Sequence, residues 1–295
     1  MTSSAVPVPV PAAVGTAPAS ARRRGRRLPA TLVIGATIVA LVVLTAVVSF
    51  IWTPYDATQT TSDRLLAPGG THPLGTDALG RDVFSQLLVG ARTTLYVGVI
   101  AVGLGALLGI PLGLVAAMGP RRLSEVIMRL IDLMLAFPAL LLAIVFGAIF
   151  GASTLSAMIA IGLATAPTFA RLSRSGALQV MSSEYVLAAR VAGRPLLAVA
   201  FRHVVPNIGG MLIVQVSVSY AVAVLSESGL SYLGFGTPPP TPSWGRMLQE
   251  AQPLLFVQPL LAVWPGVAIA LAVLGFNLLG DGLRDRFDPK LEDRS

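Results

Sequence analysis

Six apolar runs punctuate the chain: Leu32 to Trp52, then roughly 94–118, 128–150, 155–172, 207–233 and 259–280. Each approaches the ~20 residues with which an α-helix crosses ~30 Å of hydrocarbon. The runs are continuous and do not alternate, so they predict helices and not barrel strands. The third and fourth nearly meet, and Gly151-Ala152-Ser153-Thr154 between them predicts a tight turn. The pattern therefore predicts an all-α membrane protein with six transmembrane helices. Its expected divisions are a basic, disordered tail over 1–30, a first membrane helix over 31–52 and an extracytoplasmic loop over 53–93. A five-helix core over 94–281 and a cytoplasmic tail over 282–295 complete it.

Composition agrees with this pattern. Hydrophobic residues make up 54% of the chain and charged residues only 12%, where soluble domains carry roughly 25% charge. The first 30 residues are rich in Ala, Pro, Val, Ser and Thr, a mixture that cannot supply a core. A signal peptide fits poorly, because the run after the basic cluster has the length of a bilayer span and not of a signal h-region of about 7–15 residues. The chain has no Cys and only two His, His72 and His203. Disulfides, thiol chemistry and Cys- or His-rich metal sites are thereby excluded. Neither His has neighbouring ligands, so a structural or surface role is expected for both.

The net charge of +7 raises nucleic acid as a partner, but the placement of the charge argues for topology instead. With the N-terminus in the cytoplasm, inner segments hold Arg22, Arg23, Arg24, Arg26 and Arg27, then Arg121, Arg122 and Arg129. They also hold Arg171, Arg174, Arg190, Arg194 and Arg202, and finally Arg284, Arg286, Lys290 and Arg294. That is 17 basic residues, against four outside: Arg64, Arg81, Arg92 and Arg246. Positive charge collects on the cytoplasmic side of membrane proteins. Both termini are accordingly expected in the cytoplasm, and no nucleic-acid partner is expected.

Within the spans, Gly105, Gly109 and Gly113 lie four apart on one helix face, a pattern that admits a second helix at close range. Pro111 among them predicts a kink. Asp132, Arg171, Glu227 and Asp281 are ionisable residues in or near span ends, where charge is costly and usually faces a bundle interior or water. Arg129, one turn before Asp132, offers that carboxylate a local partner; a place on the translocation path is the other reading. Glu227, between Ser226 and Ser228, either lines a water-filled path or outer gate or reaches the interface. No P-loop, nucleophile elbow or His-Glu-x-x-His helix occurs, and the only Lys is Lys290. No catalytic residue, metal or cofactor is expected on this chain, so its energy comes from a gradient or from another chain.

Two extramembrane loops carry further information. In the inner loop, 174–206, Glu184 to Val191 predicts a helix capped by Ser182 or Ser183 and ended by Gly193. Pro195 begins a second short helix, and Pro206 marks the return to the membrane. Ala188-Ala189, Gly193 and Pro206 resemble the EAA loop of bacterial ABC importer permeases, with Leu187 at the usual Glu position. In the outer segment, Thr76 or Asp77 caps a helix that places Val83, Phe84, Leu87, Leu88 and Ala91 on one face. An amphipathic helix on the outer interface is expected there.

That outer segment, with His72-x-Leu-Gly-Thr-Asp77, Gly80-Arg81-Asp82 and Gly90-x-Arg92, resembles the dipeptide/oligopeptide/nickel permease subfamily. Met128-Arg129, Asp132 and Ala136-Phe137-Pro138 agree, as do Glu227 to Gly236, Pro239 to Gly245 and Asn277 to Asp285 with Asp288-Pro289. The resemblance implies the second of two permease subunits in a peptide importer of the bacterial plasma membrane. It implies a homologous permease as partner, an extracytoplasmic binding protein and two ATPase subunits that carry ATP and Mg. It assigns ATPase coupling to Glu184, Ala188, Ala189, Arg190, Gly193 and Pro206. A nickel or metal-chelate importer is the alternative within the subfamily. A gradient-driven secondary transporter is the alternative outside it, disfavoured by the lack of repeated halves and paired mid-span acids.

Overall fold

The computed structural model describes residues 29–287. Residues 1–28 and 288–295, where most of the two expected tails fall, lie outside the described residues. Among the described residues ten α-helices follow one another: α1 Ala30–Ile51, α2 Val83–Met118, α3 Arg121–Ala136, α4 Ala139–Phe150, α5 Thr154–Met181, α6 Glu184–Val191, α7 Leu196–Val199, α8 Val205–Tyr232, α9 Trp244–Ala251 and α10 Leu260–Phe287. A π-turn over Ala200–Val204 joins α7 to α8. Among the described residues there is no strand beyond two isolated bridges in the segment after α1.

Five stretches are each long and apolar enough to cross a bilayer, and a sixth arises if the bent pair α3–α4 counts as one span. The 128–150 run is therefore not one straight helix. The chain breaks after Ala136 and turns through 84° before α4. The cause is Pro138. Its ring disfavours helical backbone at the residue before it, and Phe137 is extended at φ −87, ψ 130.

The expected amphipathic helix over the outer segment is likewise absent as a separate element. α2 begins at Val83, capped by Asp82 and not by Thr76 or Asp77, and runs unbroken through Pro111 to Met118. Val83, Leu88 and Ala91 do share a buried face, but that face packs on protein. α5 and α10 also outrun their apolar stretches, because polar ends extend a helix beyond the lipid-facing run. α8 is continuous with the helical turns from Leu196, so the helix has re-formed before Pro206.

Small residues hold the bundle together. Lipid offers no hydrophobic reward for helix association, so close backbone approach and its dispersion contacts must supply it. The Gly105, Gly109 and Gly113 face lies on α5. A Cβ at Gly109 would collide with the Ala166 carbonyl and lie 2.6 Å from the Phe169 Cβ. One at Gly113 would strike the Ala170 carbonyl, and one at Gly105 the Thr165 hydroxyl. A second seam, not anticipated, joins α1 to α10. Gly35 faces the backbone at Leu278 and Leu279, and Gly282 faces Leu32. Tyr220 on α8 stacks on Phe276 of α10 with ring centroids 4.1 Å apart. Its hydroxyl donates to the Leu95 carbonyl at 2.6 Å.

Replacing Gly109 with Leu should force α2 off α5 and cost about 1–3 kcal/mol, because the obstruction is backbone. Gly103→Leu is the control, since nothing lies within 4 Å of that position. Thermal melts in detergent should drop by several degrees for the first variant and not for the second.

Candidate functional site

Three features stand out. The first is a knob at one end of the bundle, formed by α6, α7 and the π-turn. Ser183 is the residue before α6, but its hydroxyl donates back to the Val180 carbonyl, so it does not cap the helix with its side chain. Gly193 lies at φ +77, a left-handed conformation that glycine adopts without the strain of a Cβ. It closes α6 by donating to the Arg190 carbonyl at 3.0 Å, while the Arg194 amide reaches the Ala189 carbonyl at 3.2 Å. Val186, Val199 and Val204 anchor the knob and are fully buried. Asn207 donates to the Tyr185 hydroxyl at 3.0 Å, and Tyr185 meets His203 edge-on. Glu184, Ala188, Arg190, Gly193 and Pro206 are exposed, and Ala189 is half-buried. Apolar side chains are exposed beside them: Leu187, Val191, Leu197 and Phe201, with Val191 at 90%.

The second is a cavity of about 480 Å³ where the α3–α4 bend opens against α5 and α8. Asp132 and Arg171 lie just beyond it, toward the α6 end. They pair with each other at 2.6 Å across α3 and α5. The expected Arg129–Asp132 pair does not form, because the bend turns α3 toward α5. Sequence reasoning named Glu227 for the path but missed the polar side chains that line the cavity: Thr165, Thr168, Gln215, Ser219 and Ser226. Their signal was present as polar residues at helical spacing within apolar runs.

The third feature is a cap at the opposite end, where the segment after α1 meets α9. His72 is buried there. Its Nδ1 lies 2.9 Å from Asp82 Oδ1, and its ring packs on Tyr55 with centroids 4.5 Å apart. The other Asp82 oxygen accepts from the Ser85 amide and hydroxyl, each at 2.7 Å. Gly75 and Gly80 both sit at positive φ, where a Cβ would strike the Leu66 and Thr61 carbonyls. Asp77 accepts from Arg81 Nε at 2.7 Å and from Gln86 at 2.9 Å. Arg81 also pairs with Glu250 of α9, which binds Arg246 at 2.9 Å. Burial opposes the Arg81 charge, but Asp77 and Glu250 outweigh it and hold its pKa above the ordinary value. The Trp244 indole donates to the Leu87 carbonyl at 3.0 Å.

Glu227 belongs to this cap. It is 1% exposed, and its Oε1 accepts from Ser231 at 2.7 Å. The Ser231 hydroxyl in turn accepts from the Thr237 amide at 3.0 Å. Glu227 thus ties the end of α8 to the return loop and reaches neither the interface nor the cavity; Ser226 beside it lines the cavity. Asp281 is exposed on α10 toward the α6 end.

Residues 109–293 match the family described as binding-protein-dependent transport system inner membrane component. The chain belongs to that family. It is an inner-membrane, multi-pass permease component. The dipeptide transport system permease protein DppC of Escherichia coli (strain K12) is 43% identical over 269 residues, 88% of this chain and 89% of that protein. DppC of Alkalihalophilus pseudofirmus is 38% identical over 261 residues, 88% of this chain and 86% of that protein. The glutathione transport system permease protein GsiD of Salmonella paratyphi A is 39% identical over 290 residues, 98% and 95% of the two chains. Among solved structures, the inward-facing MetNI methionine ABC transporter aligns with a TM-score of 0.54 at 14% identity. That alignment covers 67% of this chain and 96% of that one. At such identity the likeness establishes the fold, that of an ABC importer permease.

Replacing Arg81 of this permease with Met should leave Asp77 and Glu250 without their shared cation. The expected cost is up to about 3 kcal/mol, the low end for a broken buried pair, because Glu250 remains partly exposed. Thermal unfolding would read the loss, and Arg81→Met with Glu250→Met should recover part of it.

Proposed function

We propose that this chain is one of two permease halves of an ATP-driven importer for dipeptides or oligopeptides in the bacterial plasma membrane. Its partners are a homologous permease, two cytosolic ATPase subunits that carry ATP and Mg, and an extracytoplasmic binding protein. The chain itself carries no catalytic step. Both termini and the α6 knob face the cytoplasm in this reading, which the distribution of Arg supports. The α9 cap faces the binding protein.

The observation that carries this reading is the knob, with the relatedness to peptide permeases beside it. A short helix, a left-handed glycine and an exposed apolar rim of Leu187, Val191, Leu197 and Phe201 make a surface built to be covered. Leu187 stands where the EAA loop usually carries Glu, so the contact to an ATPase groove is apolar there. Glu184 and Arg190 supply the charge. Engagement by the ATPase pair couples nucleotide state to the bundle, which alternates between inward-open and outward-open states of similar free energy. Extensive glycine seams suit this rocking, because helices in smooth contact slide with little interlocking.

Reconstituted with its partners in proteoliposomes, the complex should take up peptides against a gradient only when ATP and binding protein are present. Uphill uptake by this chain alone would refute the proposal. Gly193→Val, which strains the left-handed turn, and Ala188→Arg, which places charge on the rim, should each cut uptake at least tenfold. ATPase stimulation by binding protein should fall with it. Normal uptake and normal stimulation in both variants would remove the coupling role from the knob.

A further inference from the structure

The cavity beside the α3–α4 bend has a wall of one chemical kind. Its polar side chains are Thr165 and Thr168 on α5 and Gln215, Ser219 and Ser226 on α8. All five are neutral hydrogen-bonding groups, and no ionisable side chain is among the lining residues. Asp132 and Arg171 lie just beyond the lining and are spent on each other at 2.6 Å. On α8 the three polar positions follow one another after about one turn and then about two turns, on a single face. From Gln215 to Ser226 they cover about 16 Å of helix at 1.5 Å per residue.

The Thr165 hydroxyl is turned to Gly105 in the seam and donates to the Gly162 carbonyl at 3.0 Å. The geometry points to the other four side chains, Thr168, Gln215, Ser219 and Ser226, as a main-chain-reading ladder, which holds a peptide in transit by its backbone amides. The inference rests on the proposed peptide import and adds the residues and the mode of recognition. The wall offers what a peptide backbone needs. A hydroxyl donates or accepts, and the Gln215 amide does both. An extended peptide advances about 3.3–3.6 Å per residue, so 16 Å of ladder accommodates four or five residues, and a dipeptide engages part of it. The remaining lining is apolar and includes Phe137, Pro138 and Val222, which hold no fixed charge against any substrate side chain. A charged wall would favour peptides of opposite charge. A neutral polar wall reads only what all peptides share. Three of the groups are open to the cavity, while Ser219 is 4% exposed and engaged by Gln215. Thr168 is exposed, and Gln215 and Ser226 are half-buried on the open side of the cavity. Gln215 spends one amide hydrogen on Ser219 at 3.0 Å, and its carbonyl oxygen accepts no hydrogen bond among the described residues.

The chain contains no Cys, so single substitutions can be probed without background. In the assembled transporter, Thr168→Cys, Gln215→Cys and Ser226→Cys should react with a water-soluble thiol reagent in at least one nucleotide state. Saturating Ala-Ala with its binding protein should slow that reaction. Val224→Cys, on the opposite and buried face of α8, should stay unreactive. Uptake gives the second readout. Gln215→Leu and Ser219→Ala should each lower Ala-Ala uptake about fivefold, the worth of one hydrogen bond of ordinary net strength. The same variants should lower uptake of the analogue with an N-methylated peptide bond, which has no amide hydrogen to donate, by less than twofold relative to wild type. Inert cysteines in every state would show that the partner permease fills the cavity, and equal losses for both peptides would show that the polar groups do not read the backbone. Either result overturns the inference. Failure of the wild-type complex to import any peptide would instead remove the proposed function beneath it.

Discussion

The whole structure depends on how closely helices can approach where no water drives them together. In hydrocarbon, apolar side chains gain nothing by leaving lipid for protein, so the attraction between helices must come from close, extensive contact. Gly105, Gly109 and Gly113 bring α2 against α5 without intervening side chains, and Gly35 and Gly282 do the same for α1 and α10. These two seams fix the frame. The bent pair α3–α4 then has a surface to lean on, and the cavity is the space that its bend leaves unfilled.

Polar chemistry is sorted by position in this frame. Groups within the cap are bound to one another: His72 with Asp82, Arg81 with Asp77 and Glu250, and Glu227 through its Oε1 with Ser231, although its buried Oε2 has no hydrogen-bond partner among the described residues. Groups along the cavity are neutral and incompletely engaged. Groups on the knob are exposed and bordered by apolar side chains. A buried network with its partners in place gives rigidity, whereas incompletely engaged or exposed groups are those free to meet something else. The three regions thus differ in what their polar atoms are still able to bind.

Much of this was legible in the order of residues. Continuous apolar runs announced the helices, glycines four residues apart announced a close helix contact on α2 without naming α5 as its partner, and Glu184 to Gly193 announced the knob with its terminating glycine. What escaped notice had a physical reason in each case. Pro138 breaks a span because it restricts the residue before it, yet hydropathy does not register a proline among leucines. The outer segment reads as amphipathic because its apolar face is real, but that face is covered by α9, whose own sequence is too short and polar to announce a helix. Glu227 was offered either to the path or outer gate or to the interface, because a charge in a span is costly and usually faces water or the bundle interior. Its partner, Ser231, lies one turn further on the same helix. The cavity-lining hydroxyls were individually unremarkable, and only folding brings α5 and α8 into one wall.

α2 has one more implication. Its 36 residues extend about 54 Å at 1.5 Å each, well beyond a hydrocarbon layer of about 30 Å. The surplus is not free: Trp244 and Pro242 hold its first turns to the cap through Leu87 and Thr93. A rod clamped in this way acts as a lever arm. A tilt of about 10° about the far end would carry the tip about 9 Å sideways for that length, so a small angular change near the knob becomes a displacement of side-chain size on the other side of the membrane.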